Sequence, residues 1–341
     1  MTTMTAAPRD PAAAPPPRRR GSVRRTSTLL MTWPDGPGSG LRLAGRCRDL
    51  LTPAGDAAPV PTNAVLASTV LAAADLRVHT GPERDIISIA SDPAHAGLEG
   101  LVGRKGGGGL RAAIAQELPD QVEQGTPLHL LLDDLAGSTL IAGFALMRWA
   151  DHIPELAERM RNAPRRSMEG VCAGFRPGGS SLLADGSPSM DRHNVARVPP
   201  LAAAGDPGGW HVLDDHPPMA MRRARRIDVW ADRDRLGIDA MFRDSCWDPD
   251  GTEVAVHEYQ LLATADRSTG TLTSVDARPR VLPYAECPAA APNAAWLADT
   301  PLRDLRGEVL RRLRGTDCCT HLNDALRSLA EVPVLAATLP G

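Results

Sequence analysis

The chain of 341 residues is long enough for two domains of ordinary size, each with its own core. Its net charge of −3 and pI near 6.3 exclude the strongly basic balance that is typical of proteins whose main partner is nucleic acid. Six cysteines show no regular spacing, which predicts reduced thiols in a cytoplasmic protein rather than a disulfide framework. No uninterrupted apolar run approaches the ~20 residues of a membrane span, so no membrane partner is expected.

Residues 1–22 are rich in proline, alanine and arginine, and this composition predicts a disordered basic tail. Between residues 23 and 150, short apolar segments alternate with turn residues and lead into a helical run, Leu110 to Leu118. This order predicts a first α+β unit. The apolar stretch that follows contains Asp133 and Asp134, which are expected to cap a helix or to face solvent rather than to bind a metal.

Residues 151–221 are dense in proline, glycine and serine, which predicts a connector or an active-site lid. Residues 222–341 then repeat the earlier order, because four strand-like segments precede two helical ones. The last helix is expected to begin near Thr320. The whole pattern predicts an α+β fold in which an antiparallel β-meander precedes helices, and in which this arrangement occurs twice.

A degenerate internal repeat supports this duplication. Gly125–Asp134 aligns with Gly315–Asp324 without a gap, and the two segments share their Gly-Thr start, one leucine and the final aspartate. The segments differ in their chemistry. Where the first holds Leu128, His129 and Leu131, the second holds a reactive set: Cys318, Cys319 and His321. We therefore expect any chemistry to lie in the second copy.

Four elements of the second copy can bring reactive side chains together. Asp244 ends one predicted strand on its apolar face, and His257 begins the next strand across a single turn, so the two can be neighbours. Cys287 lies where the last strand leads into the helices. His321 and the two cysteines before it lie at the start of the final helix. There the helix dipole and the free N–H groups favour the thiolate form.

The first function open to this set is metal binding or thiol chemistry. Cys287, Cys319, His257 and Cys318 would supply nitrogen and sulfur ligands for zinc or iron. In this interpretation the partner of the protein is a metal ion or a small molecule.

Two alternatives stay open beside it. In a metal-free enzyme, Asp244, His257 and His321 would act as acid–base groups on a small organic substrate, with Cys319 as the nucleophile and residues 151–221 as the lid. In a non-catalytic assembly protein, the thiols would be inert, and the partner would be another protein or a second copy of the chain.

Because of the residues named above, the region 222–333 resembles a bacterial family of unknown function whose members end in a Gly-Cys-Thr-His-Leu motif. That motif corresponds here to Cys319-Thr-His-Leu322, preceded by Cys318. Upstream features of the family match in a further set of residues: Arg243-Asp244, His257, Ala277, Pro283-Tyr284 and Cys287-Pro288. The resemblance implies no particular activity.

The same region is more remotely similar to the U-type iron–sulfur scaffold proteins, in which a meander of three strands precedes helices. The resemblance places Cys287 at the middle ligand cysteine of that family and the pair Cys318-Cys319 at its His-Cys pair. It places Ala255 at the first ligand cysteine, which disfavours an iron–sulfur cluster. Zinc or iron held by other ligands is therefore the expected cofactor.

Overall fold

One antiparallel sheet of nine strands, whose central strands are buried on both faces, organises the computed structural model, which describes residues 6–55, 67–163, 166–189 and 193–340. The strands in chain order are β1 (Ser22–Thr32), β2 (Leu41–Thr52), β3 (Thr69–Thr80), β4 (Ile86–Asp92), β5 (Ala196–Arg197), β6 (Ala220–Asp232), β7 (Arg235–Trp247), β8 (Glu253–Asp266) and β9 (Leu272–Val281). Across the sheet the order is β4-β3-β2-β1-β6-β7-β8, and both β5 and β9 pair with β8.

The pairing of β1 with β6 joins the two halves of the chain. These strands run antiparallel over their whole length, from Ser22 opposite Trp230 to Thr32 opposite Ala220. The first run of four strands, β1 to β4, and the second run, β6 to β9, therefore belong to one sheet. We call these runs, with the helices that follow each of them, the first half and the second half.

Helices follow each run of strands, which confirms the predicted α+β class. After β4 come α1 (Leu110–Glu117), α2 (Pro119–Gln124), α3 (Pro127–Ile141), α4 (Gly143–Trp149) and α5 (Pro154–Asn162); after β9 come α6 (Leu305–Arg312), α7 (Thr320–Arg327) and α8 (Val332–Ala336), with short 3-10 turns between them. Thr126 starts α3 by accepting a hydrogen bond from the backbone of His129, with proline at the first helical position. The last long helix begins at Thr320, as expected.

The helices cover one face of the sheet. Along β7 the side chains of Ile238, Ala240 and Phe242 point into a core shared with α6 and α7, and the first half forms a second core with α1 and α3. The duplication of the unit stays a prediction. The topology is compatible with it, because each half has a run of four strands followed by helices.

The other face of the sheet lies under residues from the predicted tail and connector. Arg18 is buried in an ion pair with Asp206, at 2.7 Å between Nη2 and Oδ1. Both ring nitrogens of His211 lie within hydrogen-bond distance of hydroxyls on β1, those of Thr26 and Thr28. Residues 6–21 make such contacts although their composition predicted a disordered tail, and residues 1–5 lie outside the described chain.

One helical run has the length and composition of a membrane span. Pro127–His152 has 26 residues and a mean hydropathy of 1.6 in its most apolar window. This corrects the expectation above, which considered only uninterrupted apolar residues. Because 67% of that window is buried within the structure, the run has the burial of a core helix.

Ion pairs between the sheet and the helices are buried. On β1, Arg25 binds Asp49 at 2.6 Å and, from the end of the chain, Glu331 at 2.9 Å. Asp134 was expected to cap a helix or to face solvent; it is instead 2% exposed and binds Arg225 at 2.6 Å. The arginines on the helix-facing side of the strands account for this burial, because a buried guanidinium requires a carboxylate partner.

We expect Asp49→Asn to lower the free energy of unfolding by about 3 kcal/mol, because it removes the bidentate partner of a buried arginine. Asp35→Asn is the control, since Asp35 lies 4.0 Å from Arg42 with both side chains about 60% exposed, and its loss should stay below about 1 kcal/mol. Urea unfolding measures both. Equal small losses would show that the buried pair does not stabilise the sheet.

Candidate functional site

Three side chains of metal-ligand type meet beneath α7. Asp244 on β7 pairs in register with His257 on β8, and His321 lies in the first turn of α7. The Oδ2 atom of Asp244 is 3.7 Å from Nε2 of His321 and 3.9 Å from Nδ1 of His257. One potential ligand atom from each residue lies within 4.8 Å of the other two. We call Asp244, His257 and His321 the His–Asp triad.

Strand alternation and one helix start create this geometry. Asp244 follows Phe242 on the helix-facing side of β7, and His257 precedes Tyr259 on the same side of β8. The helix α7 contacts β8, which brings His321 over both strands. The sequence analysis placed all three residues in the acid–base set and His257 also in the metal-ligand set, and the structure brings the three together.

The two imidazole rings of the triad stack on each other. Their centroids are 3.4 Å apart and their planes differ by 14°. An ion bound by an imidazole lies in the plane of the ring, so two parallel rings at this distance cannot both direct a nitrogen lone pair at one ion. Metal uptake therefore requires one ring to turn. The side chain of His321 is 20% exposed and that of His257 is 8% exposed, so His321 has more room to move.

Asp244 is held by a buried arginine. Arg223 donates from Nε to Oδ1 at 2.8 Å and from Nη2 to Oδ2 at 3.0 Å, and Asp244 is fully buried. This bidentate contact fixes the orientation of the carboxylate. The Oδ2 atom, which accepts one hydrogen bond from Arg223, can still offer its other lone pair to the imidazoles. The basic run Arg222–Arg226 is visible in the sequence, but its residues alternate between the two faces of β6. Only the contact with Asp244 on the neighbouring strand, which the structure shows, identifies Arg223 as part of the site.

Burial keeps both imidazoles of the triad neutral. Burial and, after it, the positive charge of Arg223 lower the pKa of His321 to about 3. Burial also lowers the pKa of His257 well below its ordinary value, with the neighbouring His321 as the next cause. Nδ1 of His257 is buried without a hydrogen-bond partner among the described residues. A neutral imidazole with a free lone pair can bind a metal or accept a proton.

The cysteines lie in the adjoining apolar core instead of the triad. Cys287, Cys318 and Cys319 are buried with Tyr259 and with Cys172 from the connector, whose neighbour Ala173 donates its N–H to the carbonyl of Cys318. Among the described residues, the group of ligand atoms within 4.8 Å contains no cysteine. The ligand set of three cysteines and His257 stays a prediction that this arrangement does not favour.

Burial also opposes the thiolate that the helix start was expected to favour. It raises the pKa of Cys318 to about 11 and raises that of Cys287 well above its ordinary value. Burial also raises the pKa of Cys319, and it outweighs the hydrogen bonds from the Tyr259 side chain and from the backbone of the first turn of α7, which lower it. These thiols therefore have the character of core residues.

Comparison with known proteins finds one family. A family model described as "Protein of unknown function (DUF2889)" matches residues 221–335, a region that runs from β6 to α8 and contains the whole triad. This bears out the expectation of a family of unknown function in this region. Searches of the curated proteins and of the solved structures gave no match. The matching region covers about a third of the chain, and neither the closing motif nor the iron–sulfur scaffold resemblance is confirmed.

We predict that His321→Gln flattens the acid dependence of stability of the metal-free protein. Unfolded histidine takes up a proton near pH 6.5, whereas folded His321 does so only at about 3. The free energy of unfolding therefore falls as pH decreases between these values, by about 1.4 kcal/mol per pH unit for this one group. Urea unfolding between pH 7 and 4 measures the slope. The exposed His152 supplies the control variant, His152→Gln, and identical slopes for both variants would contradict the assignment.

We predict slow alkylation of Cys318 and Cys319 in the folded protein. At pH 8 a thiol with a pKa of about 11 has roughly 100-fold less thiolate than one with the ordinary value near 9. Iodoacetamide labelling followed by peptide mass spectrometry, with urea-unfolded protein as the control, measures the rates. Labelling of either residue as fast in the folded as in the unfolded chain would restore a role for the thiols in chemistry.

Proposed function

We propose that the His–Asp triad binds one divalent transition-metal ion, zinc or iron. Metal–ligand bonds of 2.0–2.1 Å in a tetrahedral site hold the ligand atoms about 3.4 Å apart. The separations of 3.7 and 3.9 Å from Oδ2 of Asp244 to the two imidazole nitrogens are only a few tenths of an ångström longer. The required changes are a small contraction and the rotation of one ring, for which the partly exposed His321 is suited.

The observation that carries this proposal is the buried Nδ1 of His257, which has no hydrogen-bond partner among the described residues. Buried polar atoms nearly always have a partner, and an atom without one requires an explanation. A metal ion would supply that partner. Arg223 would then act as the group that orients the ligating carboxylate of Asp244, a contact that metal sites commonly use.

Two imidazoles and one carboxylate leave coordination positions open. Catalytic zinc sites combine three protein ligands with a bound water, and mononuclear iron sites use the same two-histidine, one-carboxylate set. We therefore propose a site that can activate water or bind a small molecule at the metal. The six free cysteines agree with a reducing, cytoplasmic location.

We further propose that the chain contains two related units, of which the second carries the metal site. Asp49 on β2 is bound by Arg25 as Asp244 is bound by Arg223. Across the sheet, however, the register partner of Asp49 is Ala72, whereas that of Asp244 is His257. The aligned position of His321 holds a leucine, so the first unit lacks both imidazoles.

A metal-free acid–base enzyme is the second candidate. The parallel stack of the two rings favours it, because acid–base chemistry, unlike metal binding, does not require either ring to rotate. Two cavities of the structure lie away from the triad. A cavity of about 340 Å³ lies against Met241 and Arg243, on the face of β7 opposite to Asp244. A second, of about 200 Å³, lies in the first half beside Trp33.

Metal analysis of untagged protein tests the proposed function. We expect about one equivalent of zinc or iron after purification, and an affinity for Zn²⁺ that falls by more than about 100-fold in His257→Gln, since even the loss of an outer partner of a ligand costs 10–100-fold. His211→Gln is the control, because His211 is as buried but lies on the other face of the sheet. Metal-free wild-type protein that also fails to bind added Zn²⁺ would contradict the proposal, as would equal affinities of the two variants.

A further inference from the structure

We propose that helix α3 of the first half completes the metal site of the second half by positioning Arg223. This inference rests on the proposed function and extends it to residues outside the region that the family model matches. The first half has no equivalent of the two imidazoles of the triad. Its contacts assign it a different role, which is to support Asp244 from a distance.

Arg223 is the link between the halves. It is 1% exposed, and while Nε and Nη2 bind Asp244, Nη1 binds two further carboxylates. One is Oδ2 of Asp324 on α7, at 3.1 Å, and the other is Oδ1 of Asp134 on α3, at 3.3 Å. Three carboxylates thus set the position of one guanidinium, and one of them belongs to the first half.

Asp134 is itself held rigidly. Arg225 donates to both of its oxygens, from Nε at 2.7 Å and from Nη2 at 2.6 Å. Asp324 is held from the first half as well, because Arg111 of α1 donates to its Oδ1 at 2.7 Å. Both carboxylates that steer Nη1 of Arg223 are therefore fixed by contacts between the halves.

Gly137 provides the space for this arrangement. It lies one turn after Asp134 on the same side of α3. A Cβ atom at residue 137 would lie 2.1 Å from Nη1 of Arg223 and 2.7 Å from Oδ2 of Asp324. Any side chain there must displace the guanidinium. Gly143, in the next helix, differs in this respect, because a Cβ atom at that position would meet nothing within 4 Å.

The displacement reaches the metal through Asp244. Since Arg223 binds both oxygens of Asp244, a shifted guanidinium turns the carboxylate away from the two imidazoles or loses one of its two hydrogen bonds. In the described part of the chain, the hydrogen bonds and ion pairs of Asp134 go to Arg223 and Arg225 and not to the triad, and Gly137 faces Arg223 and Asp324, so both are positioning residues.

Cobalt binding tests this inference. Co²⁺ reports its ligand geometry in its visible absorption bands, which a purely structural role of α3 would leave unchanged. We expect Gly137→Ala to weaken Co²⁺ binding by about 10-fold, at the low end of the effect of losing an outer partner of a ligand, and to shift these bands. Gly143→Ala is the matched control and should bind as the wild type does. Alanine favours a helix more than glycine does, which offsets part of the cost of displacing the guanidinium in Gly137→Ala.

A second pair of variants separates charge from shape. Asp134→Asn should weaken Co²⁺ binding in the same direction as Gly137→Ala, and Asp134→Glu should recover part of the loss. Thermal unfolding of the metal-free variants shows which of them are folded. If Asp134→Asn does not fold, the two glycine variants decide the outcome alone.

The outcomes distinguish this inference from the proposed function. Wild-type protein that binds Co²⁺, together with a Gly137→Ala variant of the same affinity and spectrum as Gly143→Ala, would overturn the role of α3 and leave the metal site standing. Wild-type protein that takes up no Co²⁺ would overturn both. A loss confined to Gly137→Ala and Asp134→Asn supports the inference.

Discussion

Arginine charge beneath the helices is the constraint on which both halves of the structure depend. Arg25, Arg223 and Arg225 are almost fully buried between the sheet and the helices. Each requires a carboxylate, because an unpaired charge in a protein interior costs several kcal/mol. Glu331 from the end of the chain binds Arg25, and Asp134 from the first half binds the other two. The helices of each half therefore stay in register with the strands of the other.

Local sequence pattern predicted the parts of the structure that depend on neighbouring residues. The α+β class and the start of the last helix follow from alternation and from turn residues. The closeness of Asp244 and His257 follows from one turn between two strands. His321 could be added because a helix that follows a meander packs back on it. For these features, a few adjacent residues contain the physical cause.

The remaining features depend on partners far away in the chain. Asp134 was expected to cap a helix or to face solvent, yet its partner Arg225 lies 91 residues further along the chain. The cysteine pair before His321 suggested ligands, but the apolar core around it decides its protonation. No spacing in the sequence shows that Arg223 on β6 reaches three other elements, β7, α3 and α7.

The antiparallel pairing of β1 with β6 has a consequence for how such a site can change over time. Two separate copies that met along the same strand edge would form a symmetric pair, in which every substitution appears twice. Here both strands belong to one chain, so under the proposed duplication Leu131 and His321 can differ, and Gly137 can leave room for Arg223 in one half alone. A covalent link between unequal halves therefore allows one half to change its residues while the other keeps its own.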